Sequence, residues 1–102
     1  MSANPERGEA AFMIAGTMRI LRPSFTALVA AEEELGPLFT LVEQASEGEL
    51  RLADLAALFW HCLVEQGQIS REDVGEAVMQ AGLASAMAPL RILLAQILQG
   101  RV

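Results

Sequence analysis

The sequence predicts an α+β, mostly α domain: a short N-terminal β-hairpin followed by about four to five short helices in a compact bundle. Three observations carry this. The chain has 102 residues, close to the commonest size for one hydrophobic core. Two short apolar or β-branched runs flank Ala15 and Gly16 near the N-terminus. From Ser24 onward apolar residues recur at helical spacing, punctuated by Gly36, Gly48, Gly67 and Gly82. Residues 1–102 read as a single domain, with 1–8 flexible, 9–22 the hairpin and 24–99 helical.

Each element follows from local chemistry. Ala10 to Ile14 and Thr17 to Leu21 are the strands, and Gly16 supplies the positive φ that a tight turn requires. Pro23 has no N–H to donate and ends the ladder. Ser24 is a candidate N-cap for a first helix carrying Phe25, Leu28, Val29 and Glu32, stopped at Leu35 and Gly36. Pro37 opens a second helix with Leu38, Leu41, Val42 and Ala45 on one face, ending near Gly48. A third runs from Asp54 to Glu65. Its stripe is Leu55, Leu58, Phe59, Cys62 and Leu63, with Asp54, His61 and Glu65 opposite and Gly67 as its stop.

Ser70 with Asp73 three residues on has the form of a capping box, so a fourth helix starts at Arg71, presents Val74, Ala77, Val78 and Ala81, and stops at Gly82. The last helix starts with Ser85 as N-cap, places Pro89 in the first turn and runs through Leu98. Leu90, Ile92, Leu93, Leu94, Ile97 and Leu98 cover more than one of its faces. A helix apolar over most of its circumference is buried on several sides or shared with a partner.

Composition narrows the function. Hydrophobic residues make up 53% of the chain and aromatics 5%, so the apolar mass is aliphatic, and a mean hydropathy of +0.36 is high for a domain of this size. Some of that surface is expected to face another protein. Thirteen acidic residues against seven arginines and no lysine give a net charge of −6 and a pI near 4.6. Such a surface repels phosphate backbones and anionic membranes, so neither nucleic acid nor membrane is expected as a partner. Ala77 to Leu98 is interrupted by Arg91, Gly82 and Pro89 and does not read as a membrane span. Met1 to Gly8 has no basic segment followed by an apolar one, so no secretory signal is expected, and the lone Cys62 fits a reducing compartment.

No catalytic, metal or cofactor site emerges. Cys62 and His61 are neighbours, but successive helical residues point about 100° apart, which reads as a buried structural cysteine beside a surface histidine paired with Glu65. An EF-hand loop with Gly67 at its glycine would place Cys62, Val64 and Gln66 at the first three ligand positions, and calcium needs oxygen donors there. The run Glu32, Glu33, Glu34 fans around its helix and serves solubility or an interaction. One histidine and one cysteine build neither a zinc site nor a Ser/His/Asp arrangement, so the chain is not expected to be an enzyme. Trp60 lies at the edge of the third helix's stripe and is either a rim-of-core residue or a partner-facing anchor. Leu90, Leu94, Ile97 and Leu98 are the other candidate partner-binding residues.

The pattern as a whole resembles the tail assembly chaperones of gene transfer agents and related siphophage tail clusters, over nearly the entire chain. The resemblance is carried by Asn4, Pro5, Glu6, Arg7, Gly8 and Glu9, the hairpin-like stretch, Leu21, a helix with Ala27, Leu28 and Glu32, and the Leu35, Gly36 stop. It continues through Asp54, Leu55, Leu58, Gly67, Ser70, Glu72, Asp73, Val74, Gly82 and Leu83. Thr17, Met18 and Arg19 stand where the family has an aromatic, tyrosine-containing second strand. The resemblance implies a non-enzymatic role in the cytoplasm of a bacterial host: holding the tape measure protein soluble, assisting tail tube assembly around it, and self-associating. Two other readings stay open, a structural minor tail component retained in the particle and an unrelated small helical protein-interaction module.

Overall fold

The computed structural model describes Asn4 and residues 8–99. β1 (Ala10–Ile14) and β2 (Thr17–Leu21) pair antiparallel, Ala10 opposite Leu21 and Ile14 opposite Thr17. Between them Ala15 has φ +52° and Gly16 φ +78°, the two positive values of the two-residue turn whose twist matches that of the flanking strands. Gly16 takes this conformation without a Cβ conflict, whereas Ala15 holds it against one. Along β1 the side chains alternate, with Ala10, Phe12 and Ile14 buried and Ala11 and Met13 exposed. Phe12 meets Phe59 edge-on, ring centroids 5.5 Å apart, which fastens the hairpin to the helical layer.

Five helices follow: α1 (Phe25–Leu35), α2 (Leu38–Ser46), α3 (Leu52–Cys62), α4 (Arg71–Ala81) and α5 (Leu83–Gln99). The expected fold class, a hairpin ahead of a helical bundle, is the observed one. Ser24 Oγ accepts from the Ala27 N–H at 3.2 Å to cap α1. Ser70 and Asp73 form the full reciprocal box: the Asp73 N–H donates to Ser70 Oγ at 3.1 Å, and the Ser70 N–H donates to Asp73 Oδ2 at 3.0 Å.

α3 begins at Leu52, two residues ahead of Asp54. Two further boundaries differ from expectation, each for a tertiary reason. α3 does not continue to Glu65. Leu63 turns to an extended conformation and bridges Leu21, so that the Arg22 N–H donates to the Cys62 carbonyl at 2.6 Å and the Val64 N–H to the Ile20 carbonyl at 3.0 Å. These bonds replace the helical ones given up, and Leu63 is buried in the process. α5 begins at Leu83, ahead of Ser85, with the Gly82 carbonyl accepting from the Ala86 N–H at 3.2 Å. Gly82 also closes α4 by donating to the Val78 carbonyl at 2.8 Å, and the two helices meet at 119° across it. The early start seats Ala86 fully in the core. It also moves Pro89 beyond the first turn, where its buried ring leaves the Ser85 carbonyl without a helical donor.

α1 lies on α3, α3 on α4 and α4 on α5, and α5 returns against β1. Their shared core holds Leu41, Leu58, Phe59, Cys62, Val74, Val78 and Leu93, together with Ile14 and Leu21 of the hairpin. The expectation of a flexible segment over 1–8 lies outside the described residues except at Asn4 and Gly8. Asn4 and Glu9 are bonded to each other, the Glu9 N–H donating to the Asn4 carbonyl and the Asn4 N–H to Glu9 Oε1, both at 3.0 Å. Gly8 is buried with φ +74°, and a Cβ there would come within 2.5 Å of Gln96 on α5. No single helix among the described residues is long and apolar enough to cross a membrane.

Candidate functional site

The side chains with chemistry converge where α1, α3 and α4 meet. Glu34, next to last on α1, accepts from His61 Nε2 at 2.8 Å through one carboxylate oxygen and from Arg71 Nη1 at 2.6 Å through the other. The hydrogen bond from His61, and behind it the charges of Arg71 and His61, hold the Glu34 carboxyl below its ordinary range despite some opposing desolvation. His61 therefore reaches across to α1. The expected partner Glu65 lies past the point where α3 ends, so the i,i+4 spacing that would have joined them does not exist. Nor is His61 a surface residue, its side chain being 9% exposed.

Trp60 sits half-buried beside this cluster. Its Nε1–H donates to the Ile69 carbonyl at 2.7 Å, Arg71 lies 4.8 Å above the ring, and His61 meets it edge-on at 5.1 Å. Each polar or π handle of the tryptophan is thus used to fold the α3–α4 loop back onto α3. Cys62 is 1% exposed, and burial pushes its thiol up to about 12, so it stays protonated at neutral pH. His61 Nε2 is committed to Glu34, and no Cys/His pair is assembled. Among the described residues no three His, Cys, Asp or Glu side chains are placed to share a metal ion.

The apolar candidates divide along α5. Leu90 is 3% exposed and belongs to the core, and Leu94 packs against it, so neither presents a full side chain to a partner. Ile97 and Leu98 instead line a cleft of about 210 Å³ with Leu38, Phe39 and Val42 of α2 and Glu32 of α1. Phe39 is 81% exposed and Leu98 57%. Glu32 closes one wall by accepting the Leu38 N–H at 3.1 Å, which caps the otherwise uncapped start of α2. Apart from Glu32, the cleft is lined by apolar side chains.

Sequence reasoning missed four contributors. Phe39 lies off the apolar stripe of α2, and its size was the available signal. Glu32 and Glu34 stood in a run read as a whole, although their roles are separate. Glu9 is 3% exposed and pairs with Arg22 Nε at 2.5 Å, and nothing in the strand alternation marks it as inward.

A family model for the phage tail tube protein, GTA-gp10, matches residues 7–100. The chain belongs to this tail family. No curated protein and no solved structure matches it. The resemblance drawn above led to the right tail-related group, that of phages and gene transfer agents, and to the wrong role within it. The matched family is that of a tube protein, a structural part of the tail, so the expectation of a tail assembly chaperone is corrected. The reason is physical: exposed aliphatic surface and an acidic remainder suit any protein that must stay soluble until it docks. Several of the described residues that carried the resemblance are core positions or helix stops, such as Leu21, Leu55, Leu58, Val74, Gly36 and Gly82. Such positions report on the fold and not on the role of the product.

Proposed function

We propose that this chain is a non-enzymatic structural component of a phage-type tail, built into the particle and retained there. The observation that supports this is the tail tube family match over residues 7–100. The surface agrees with it: Glu34, His61 and Arg71 are engaged in fastening helices to one another, while apolar side chains such as Phe39 and Leu98 are left outward. In this reading its partners are further copies of itself, other tube subunits and the tape measure protein around which they assemble. It is made in the host cytoplasm and docks through protein surfaces alone. The cleft formed by Phe39, Val42, Ile97 and Leu98 is the candidate docking site, each buried apolar side chain contributing about 1.5–3 kcal/mol on transfer from water.

Quantitative mass spectrometry of purified particles tests the proposal. A structural component is present in fixed proportion to the other tail proteins and survives salt washing. Its absence from finished particles would overturn the reading.

A further inference from the structure

β1 has an edge whose backbone groups no hydrogen bond meets among the described residues. The bonds from the Val64 N–H to the Ile20 carbonyl and from the Arg22 N–H to the Cys62 carbonyl show that Ile20, and with it Met18, directs its backbone groups away from β1. In an antiparallel pair the residues opposite them do the same. Ala11 stands opposite Ile20 and Met13 opposite Met18, so the N–H and C=O of Ala11 and Met13 point out along the free side of β1. No backbone hydrogen bond meets them among the described residues.

The devices that usually protect such an edge are missing. Ala10–Ile14 reads AAFMI, with no proline and no charge. The outward face of the hairpin is apolar as well, Met13 and Met18 lying directly opposite each other at 49% and 59% exposed. From Ala10 to Leu21 the sole charged residue is Arg19, in a chain whose net charge is −6. Two copies approaching through most of their surface repel each other, but through this strip they do not.

We propose that β1 pairs antiparallel with β1 of a second copy of this chain, forming a four-stranded sheet about a two-fold axis at Phe12. In that register Ala11 faces the other copy's Met13, and both exchange their outward N–H and C=O groups. The outer face then carries two unbroken apolar rows, each running Met18, Met13, Ala11, Ile20 from one copy into the next. The segment is self-complementary, as a closed two-fold contact requires. This gives the structural-component reading a specific self-contact and depends on it only for the place of that contact in a tail.

Amide exchange on the wild-type chain, followed by NMR over a concentration series, is the direct test. The Ala11 and Met13 amides face solvent in the monomer and are bonded in the dimer, so their exchange slows by about tenfold or more as sedimentation shows dimer forming. Met13→Pro, which removes an outward N–H and no bond of the hairpin, abolishes the dimer, and Leu98→Glu leaves it intact. A chain that stays monomeric to about 1 mM overturns the proposal. So does a dimer in which Ala11 and Met13 exchange as fast as in dilute protein, or one that Leu98→Glu dissolves. Retention in particles is read separately, so the two proposals fail independently.

Discussion

His61 on α3 and Glu34 on α1 are joined at 2.8 Å across 27 residues of sequence, and the same carboxylate holds Arg71 on α4 at 2.6 Å. One side chain thereby ties three helices at their ends. Because the folded environment lowers the Glu34 pKa from its ordinary 4.5, its contribution to stability is present above that value and is lost as pH falls through the depressed folded pKa. Urea unfolding of wild type and Glu34→Gln from about pH 7 to about pH 3 checks this. The wild type is the more stable at neutral pH and the gap narrows on acidification. A gap that stays constant over this range contradicts the assignment.

The hairpin turn carries a removable strain. Ala15 sits at φ +52°, which costs an L-residue about 1–2 kcal/mol relative to the right-handed region, while asparagine and glycine tolerate it. Ala15→Asn is expected to stabilise the chain by about 1 kcal/mol, read as a higher urea midpoint at unchanged slope. A lower midpoint would show that the turn is held by something other than its backbone.

Trp60→Phe keeps most of the ring and removes the donor to the Ile69 carbonyl. The expected loss is about 1–2 kcal/mol, or a fall of roughly 4–8 °C in Tm per kcal/mol at this size. The change should be confined to the α3–α4 loop, with faster amide exchange near Ile69 and Ser70 and none in the hairpin.

Cys62 provides a chemical reporter of folding. With its pKa pushed up to about 12 and its side chain in the core, it should resist a thiol reagent at pH 8 in native buffer and react at once in denaturant. Reaction of the native chain at the rate of a free thiol would place Cys62 at the surface.

How far the sequence disclosed this fold depended on whether the deciding interaction was local. The strand boundaries, the Ser24 cap, the Ser70 and Asp73 box and the stops at Gly36 and Gly82 are settled within four residues of themselves, and each was legible. The end of α3 was not, because Leu63 abandons its helix for Leu21, 42 residues earlier in the chain. The start of α5 was misplaced for the same kind of reason, since burial of Ala86 outweighs the Ser85 cap. At the candidate surface, periodicity found the apolar breadth of α5. Which part faces outward is decided by what β1 and α4 cover, so Leu90 was lost to the core while Phe39 joined from a different helix.

The contact between β1 and α5 has a consequence for the order in which the chain is made. Gly8 and Phe12 leave the ribosome well before Gln96 does. The hairpin can close by itself within microseconds, yet Leu63, Phe59 and α5, against which it rests, are synthesised seconds later. Until then its buried-side row of Ala10, Phe12 and Ile14 is open to water. The packing of the N-terminal strands is therefore completed only by α5, and a chain released short of it would expose part of the hairpin's inner row together with its outer face.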